Sequence, residues 1–353
     1  MAMPEGEIVF NNSPTPSMPN VTNQPKRPWA LHITLFVLTF LSAMWFQSID
    51  WAIATSFKDA ITSPFYHPEK LTEGLTFAVA LLAILLAHEM GHFFVARYYR
   101  VNQSLPYFIP APTLFGTLGA VILMRSQPSN RKVLLRVALA GPFAGLIIAL
   151  IAAAWGLAHS NPTTALPHPN EPIAGSSLLW SWLVQIFIPK HATFINLHPV
   201  AFAAWAGLLV TALNLIPAAQ LDGGHIAYAL FGKRQLAISR LVVVCLLVLG
   251  IFYNHNGAGS VWLIWAVLLS LLGLRHPPVR DEYLSISPRD RFAGYLALVL
   301  FIVTFVPIPL MYSPQLPANS PAINAPINPE QLFPSKKAKP DELSSAPAEQ
   351  FRL

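Results

Sequence analysis

Residues 71–87, LTEGLTFAVALLAILLA, form an apolar run that leads without a break into His88-Glu89-Met90-Gly91-His92. Lipid offers no partner for an open backbone N–H or C=O, so such a run folds as a helix when it enters a bilayer. On a helix, His88 and His92 are four residues apart and share one face. H-E-x-x-H on that face is a metal-binding pattern. The two imidazoles take a zinc ion, and Glu89, one step round, is placed to activate a water. Ionisable groups at the edge of a membrane helix are costly, so their presence there points to a function. Together, run and motif predict a metalloprotease that works at, or inside, a bilayer.

The rest of the 353-residue chain fits that setting. It is 54% hydrophobic and only 11% charged, where a soluble domain is about a quarter charged. The net charge of +6 would raise nucleic acid as a partner of a soluble protein. Here the basic residues sit in short loops between apolar runs, which is topology signal and lipid contact, so nucleic acid is set aside. Cys245 is the only cysteine and lies in an apolar run, so no disulfide forms within the chain. Residues 1–29 and 313–353 are rich in Pro, Asn, Ala and Ser and are expected to be disordered tails. Between them, 30–312 is expected to be a single membrane domain with its catalytic core at about 72–232.

Apolar runs at 30–47, 72–96, 133–157, 200–217, 238–253, 259–274 and 293–312 predict an all-α polytopic membrane protein with six to seven transmembrane helices. Arg97, Arg100, Arg125, Arg131, Lys132 and Arg136 crowd the connection between the second and third runs, and Lys233, Arg234 and Arg240 follow the fourth. The connections at 48–71 and 158–199 carry few basic residues. By the positive-inside tendency the basic loops are cytoplasmic and the others lie outside. The short apolar segment 177–188 is open to three readings: an interfacial helix, a re-entrant helix or a short span. The interfacial reading is preferred, because a span there would invert everything after it.

Two histidines do not complete a zinc site that keeps one position for water; a third protein ligand is needed. The best candidate is Asp222, in the stretch Asn214-Leu215-Ile216-Pro217-Ala218-Ala219-Gln220-Leu221-Asp222-Gly223-Gly224-His225. It is expected to close the fourth apolar helix, and the glycines after it allow a sharp turn. The second and fourth spans run in the same direction, so His88, His92 and Asp222 are predicted at similar depth, toward the cytoplasmic side. If 177–188 crossed the membrane, Asp222 would arrive at the wrong face.

With HEMGH at 88–92, FGTLGA at 115–120, AGPFAG at 140–145 and NLIPAAQLDGGH at 214–225, the chain resembles the site-2 protease family of intramembrane zinc metalloproteases over residues 72–232. The absence of a PDZ-like insertion makes it similar to the compact branch. The resemblance implies His88, His92 and Asp222 as ligands of one zinc ion per chain, and Glu89 as general base. It implies Asn214 as a residue that helps hold the substrate or the oxyanion. It also implies membrane-embedded or membrane-anchored protein segments as substrates, in regulated intramembrane proteolysis or in clearance of signal-peptide remnants. The compartment expected is a bacterial cytoplasmic membrane.

Residues 105–124, LPYFIPAPTLFGTLGAVILM, combine prolines, glycines and a strand-like apolar run just after the histidines. They predict a re-entrant loop or β-hairpin whose edge pairs with an unwound substrate. His225 is expected to hydrogen-bond behind the ligands rather than to be a fourth one. His159, His168, His191 and His198 are expected to be solvated loop residues, and AGPFAG a helix-packing surface of small residues. The alternatives weighed are a prenyl-protein type of zinc protease, an inactive membrane chaperone and a metal transporter. The first needs a downstream glutamate motif that is missing. An inactive homologue would typically lose Glu89 or a ligand, and a transporter would carry polar residues in several spans rather than in one constellation.

Overall fold

A backbone that must satisfy its own hydrogen bonds in lipid has the helix as its simplest solution, and every apolar run of the sequence becomes one. The computed structural model describes residues 29–50, 56–163, 172–189, 194–254, 259–282 and 285–312. The expected tails, from which Trp29 is excepted because it opens a helix, and the loop histidines His168 and His191 lie outside the described residues. The helices are α1 (Trp29–Gln47), α2 (Phe57–Tyr66), α3 (Lys70–Tyr98), α4 (Arg131–Ala158), α5 (Leu178–Phe187), α6 (Pro199–Asn214), α7 (Asp222–Phe231), α8 (Gln235–Phe252), α9 (Ser260–Leu272) and α10 (Pro288–Thr304). Three pairs of short strands accompany them: β1 (Tyr107–Pro110) with β2 (Thr117–Val121), β3 (Asn161–Thr163) with β5 (Phe194–Asn196), and β4 (Pro172–Ala174) with β6 (Leu310–Tyr312), all antiparallel.

Among the described residues, four helical stretches are long and apolar enough to cross a membrane: Trp29–Gln47, Lys70–Tyr98, Arg131–Ala158 and Asp222–Phe252. The expected count of six to seven spans is not confirmed by this measure. α6, α9 and α10 are apolar but have 16, 13 and 17 residues, short of the roughly 20 that a hydrocarbon core of about 30 Å asks of an upright helix. The fourth long stretch is itself broken: a 3-10 turn at Gly232–Arg234, with Gly232 at φ +59°, separates α7 from α8.

Small residues set the directions of the central helices. A Cβ on Gly74 of α3 would fall 2.2 Å from the Met44 carbonyl of α1, and one on Gly91 would fall 2.4 Å from the Ala140 carbonyl of α4. α3 is therefore backed closely by both neighbours, each antiparallel to it. α6 runs parallel to α3: Phe77 meets Phe202 with ring centroids 5.6 Å apart, Gly207 sits against Ile84, and Asn214 reaches His88. Most of α6 is buried, so this short helix is enclosed by protein rather than by lipid.

The α4–α6 connection begins and ends at one end of the bundle. β3 pairs with β5 there, and Gly156 abuts Ala201. α5 lies within this connection. Its 10 residues span only about 15 Å, with Trp180 and Val184 turned into the core and Leu178, Trp182 and Ile186 exposed. This is the amphipathic pattern of a helix lying along a surface. α10 starts at the opposite end, where Asp290 takes a two-pronged ion pair from Arg136, Nε to Oδ1 at 2.7 Å and Nη2 to Oδ2 at 3.2 Å. It then runs the depth of the bundle, so that β6 pairs with β4 beside α5.

Candidate metal centre

The site is built from the last turns of α3, the end of α6 and the first turn of α7. His88 and His92 present their rings one above the other, centroids 5.0 Å apart. Behind them α4 carries Gly141 and Gly145 of the AGPFAG segment. A Cβ on Gly141 would lie 2.0 Å from His92 Nε2, and one on Gly145 would lie 3.1 Å from His88 Cβ. The segment expected to be a generic packing surface is thus the wall against which both imidazoles rest.

Asp222 does not close the fourth apolar helix. α6 ends at Asn214, residues 215–221 form a turn, and Asp222 opens α7. Two local preferences explain this. The residue before a proline avoids the helical region, so Pro217 favours an earlier stop. A carboxylate is favoured in a first turn, next to the unpaired N–H groups. The two glycines that follow permit a tight fold-back. A Cβ on Gly223 would lie 2.0 Å from the Leu215 carbonyl oxygen, and one on Gly224 would lie 2.4 Å from that of Ala219.

The turn delivers the carboxylate to the histidines. Asp222 Oδ2 lies 3.2 Å from His88 Nε2 and 3.1 Å from His92 Nε2, and the two nitrogens are 3.2 Å apart. His92 Nδ1 donates to the Val137 carbonyl at 2.8 Å, which leaves Nε2 of the neutral ring as a bare lone pair. Two acceptors, His92 Nε2 and Asp222 Oδ2, thus meet His88 Nε2 in a buried place. Each of the three atoms can offer a lone pair to a cation placed among them. The triangle also has the right size. Zinc bonds of about 2.0–2.1 Å in a tetrahedral arrangement place ligand atoms about 3.3 Å apart. Among the described residues, His88, His92 and Asp222 form the one group of three such side chains close enough to share an ion.

Asn214, the last residue of α6, puts its amide nitrogen 3.3 Å from His88 Nε2. Glu89 is 7% exposed and follows His88 directly on α3. All five candidate residues therefore lie together. His225 does not join the ligands: its Nδ1 is 2.6 Å from Nε2 of His276, a residue that sequence reasoning passed over. Burial pushes the His276 imidazole below its ordinary value, against the raising effect of its contact with the Pro277 carbonyl. His159 and His198 lie far away around Trp155, between the end of α4 and the start of α6. The 105–124 region is a hairpin, β1–β2, seated on α1 through His32 and Phe36. Gly116 and Gly119 both have positive φ, +68° and +94°.

The profile of peptidase family M50 matches residues 76–252. The probable zinc metalloprotease EGY2, chloroplastic, of Oryza sativa subsp. indica is 27% identical over 88% of this chain and 63% of its own length. The probable zinc metalloprotease EGY1, chloroplastic, of Arabidopsis thaliana is 34% identical over 66% of this chain and 43% of its own length. The EGY2 protein of Arabidopsis thaliana is 30% identical over 72% and 45% respectively. The chain therefore spans less than two thirds of the length of these curated relatives. These relatives are named as chloroplastic proteins, which gives no support to the bacterial cytoplasmic membrane expected from the sequence. Membrane localisation itself stands on the four long apolar helices.

Proposed function

The chain belongs to peptidase family M50, the site-2 protease family that its sequence resembles, and from that premise we propose that it is an intramembrane zinc endopeptidase. The observation that carries the reading is the triangle of His88 Nε2, His92 Nε2 and Asp222 Oδ2, with edges of 3.1–3.2 Å. These three residues hold one zinc ion per chain. The metal, when bound, supplies Lewis acidity and brings the pKa of water toward 7. Glu89 accepts the proton of the attacking water and passes it to the leaving amine. Asn214 presents its amide beside the ligands, as a donor to the oxygen on which charge develops. Gly141 and Gly145 keep α4 close enough to hold both imidazoles, and the Val137 carbonyl fixes the His92 tautomer.

The substrates are transmembrane or membrane-anchored protein segments, cleaved in regulated intramembrane proteolysis or in the removal of signal-peptide remnants. The basic loops flank the ligand end of α3 and α4, which favours a site open to the cytoplasmic side. A helical peptide bond is shielded by its own hydrogen bonds, so the substrate has to unwind. β2 is suited to receive it. β1 covers one of its edges, and Leu118 and Val121 are exposed along it, so an extended peptide can add as a third strand.

Glu89→Gln tests the proposal. The variant is expected to fold and to bind one zinc, and to cut a model membrane substrate at least about 100-fold more slowly than the wild type, the lower range for loss of a general base. Wild-type protein that cleaves no membrane substrate, or a variant that cleaves as well as the wild type, would contradict it.

A further inference from the structure

We propose that His276 is a positioning residue for Asp222, acting through α7; the inference rests on the metal-site reading above. α7 carries Asp222 in its first turn, His225 one turn further and Tyr228 close to the turn after that, so the three fall along one side of the helix. The connection between α9 and α10 passes over that side. His276 Nδ1 contacts the Pro277 carbonyl, which can only accept, so this nitrogen carries the ring proton. Nε2 of the neutral ring is then an acceptor, and His225 Nδ1 donates to it at 2.6 Å. The same His276 ring stacks on Tyr228, with centroids 4.2 Å apart and planes 11° apart. One side chain thus grips α7 at two successive turns after the ligand.

His276 is itself held. Its backbone N–H donates to Gln235 Oε1 at 3.2 Å, and Gln235 Nε2 donates to the Leu274 carbonyl at 3.1 Å and to Ser239 Oγ at 2.7 Å. Ser239 Oγ in turn accepts from the Ala219 N–H at 3.2 Å. Ala219, three residues before Asp222, has φ +52°, a left-handed conformation that an alanine keeps only when its surroundings enforce it. The loop before Asp222 and the helix after it are therefore tied into one buried polar network, with His276 at its outer end. Further along, the connection is fastened to the start of α4: Arg280 N–H donates to the Pro128 carbonyl and Asp281 N–H to that of Ser129, while Val279 packs with Leu134 and Tyr228. Metal ligands tolerate displacements of only about 0.2 Å, and α7 has just 10 residues. A clamp on its outer side is what keeps the carboxylate in register with the two histidines.

The test is zinc affinity of the full chain in detergent, measured by competition with a chelator of known affinity. His276→Phe keeps an aromatic ring over Tyr228 but removes the acceptor for His225. Its zinc Kd is expected to rise by about 10- to 100-fold, the usual effect of losing a hydrogen-bonded partner behind a ligand. His276→Gln, whose Oε1 can accept from His225, is expected to recover most of that loss. A phenylalanine variant with wild-type zinc affinity overturns the inference. A second measurement needs no variant. Coupling between two sites is reciprocal, so zinc must slow amide hydrogen exchange in peptides covering 274–281 of the wild-type chain; unchanged exchange also overturns it. Wild-type protein that binds no zinc at all would instead defeat the metal-site reading on which the inference stands.

Discussion

Gly141→Ala changes one hydrogen to a methyl and should disable the metal centre. The added Cβ would stand 2.0 Å from His92 Nε2, 2.4 Å from Cδ2 and 2.6 Å from Cε1. Ordinary contact begins near 3.4 Å, so ring or helix must give way by about 1.4 Å. The helix has little room to retreat from α3, because α4 also packs against α6, with Gly156 on Ala201, and against α7, with Leu135 and Leu139 beside Ile226 and Ala229. The ring cannot swing without leaving the Val137 carbonyl, at a cost of about 1 kcal/mol. Either shift is several times the roughly 0.2 Å that a metal bond tolerates. We expect zinc affinity to fall by at least about 10-fold and cleavage to fall with it. The global cost should stay within the 1–3 kcal/mol typical of an overpacked core. Zinc per chain, measured by mass spectrometry after equilibration in a zinc buffer, gives the first quantity, and a fluorogenic membrane substrate the second. Gly145→Ala is the internal control. Its Cβ would stand 3.1 Å from His88 Cβ, a gap that closes with a shift of a few tenths of an ångström, so its affinity should drop by less than about threefold. A Gly141→Ala protein that holds zinc and cuts like the wild type would refute the reasoning, as would a control that loses more zinc than the test variant.

Two other outcomes follow from the same geometry. Gly119→Leu places a side chain in open space on β2, at a backbone φ of +94° that disfavours any side chain; cleavage should fall while zinc content holds, and unimpaired cleavage would remove β2 as the substrate edge. His198 caps α6 by accepting the Val200 N–H at its Nδ1. Burial and then the nearby His159 hold its imidazole below the ordinary value, with Glu73 opposing them. As pH drops through about 6.5 the unfolded chain takes up this proton before the folded one, so stability present above that pH is lost on acidification. His198→Asn keeps a capping side chain without the titration, and its melting temperature should decline less than that of the wild type between about pH 7.5 and pH 5.5; parallel profiles would exclude the effect.

How far the sequence foretold this site depends on whether a residue's role is local. His88, Glu89 and His92 were legible because their spacing on one helix fixes their relation. Asp222 was legible as a residue type beside two glycines, and the shared direction of α3 and α6 was legible from loop charge. Its place at the start of α7 was missed because an apolar run running up to it hid the stop at Asn214, although Pro217 marked it. The span count of six to seven goes unconfirmed for a related reason. Apolar content cannot tell a helix facing lipid from one such as α6, buried among its neighbours. Gly141, Gly145, Gln235 and His276 act through contacts between segments distant in the chain, and no periodicity encodes which wall a glycine makes or which ring a histidine meets. The hairpin at β1–β2 was readable from its prolines and glycines, but its seat on α1 was not.

The most direct measurement of the central claim is X-ray absorption at the zinc edge of the purified full chain, beside its Asp222→Ala variant. One zinc per chain is expected in the wild type, with two imidazole nitrogens and carboxylate oxygen at about 2.0–2.2 Å, and loss of that zinc in the variant. A wild-type protein that takes up no zinc from a micromolar buffer would contradict it. So would an Asp222→Ala protein whose zinc and coordination shell are unchanged.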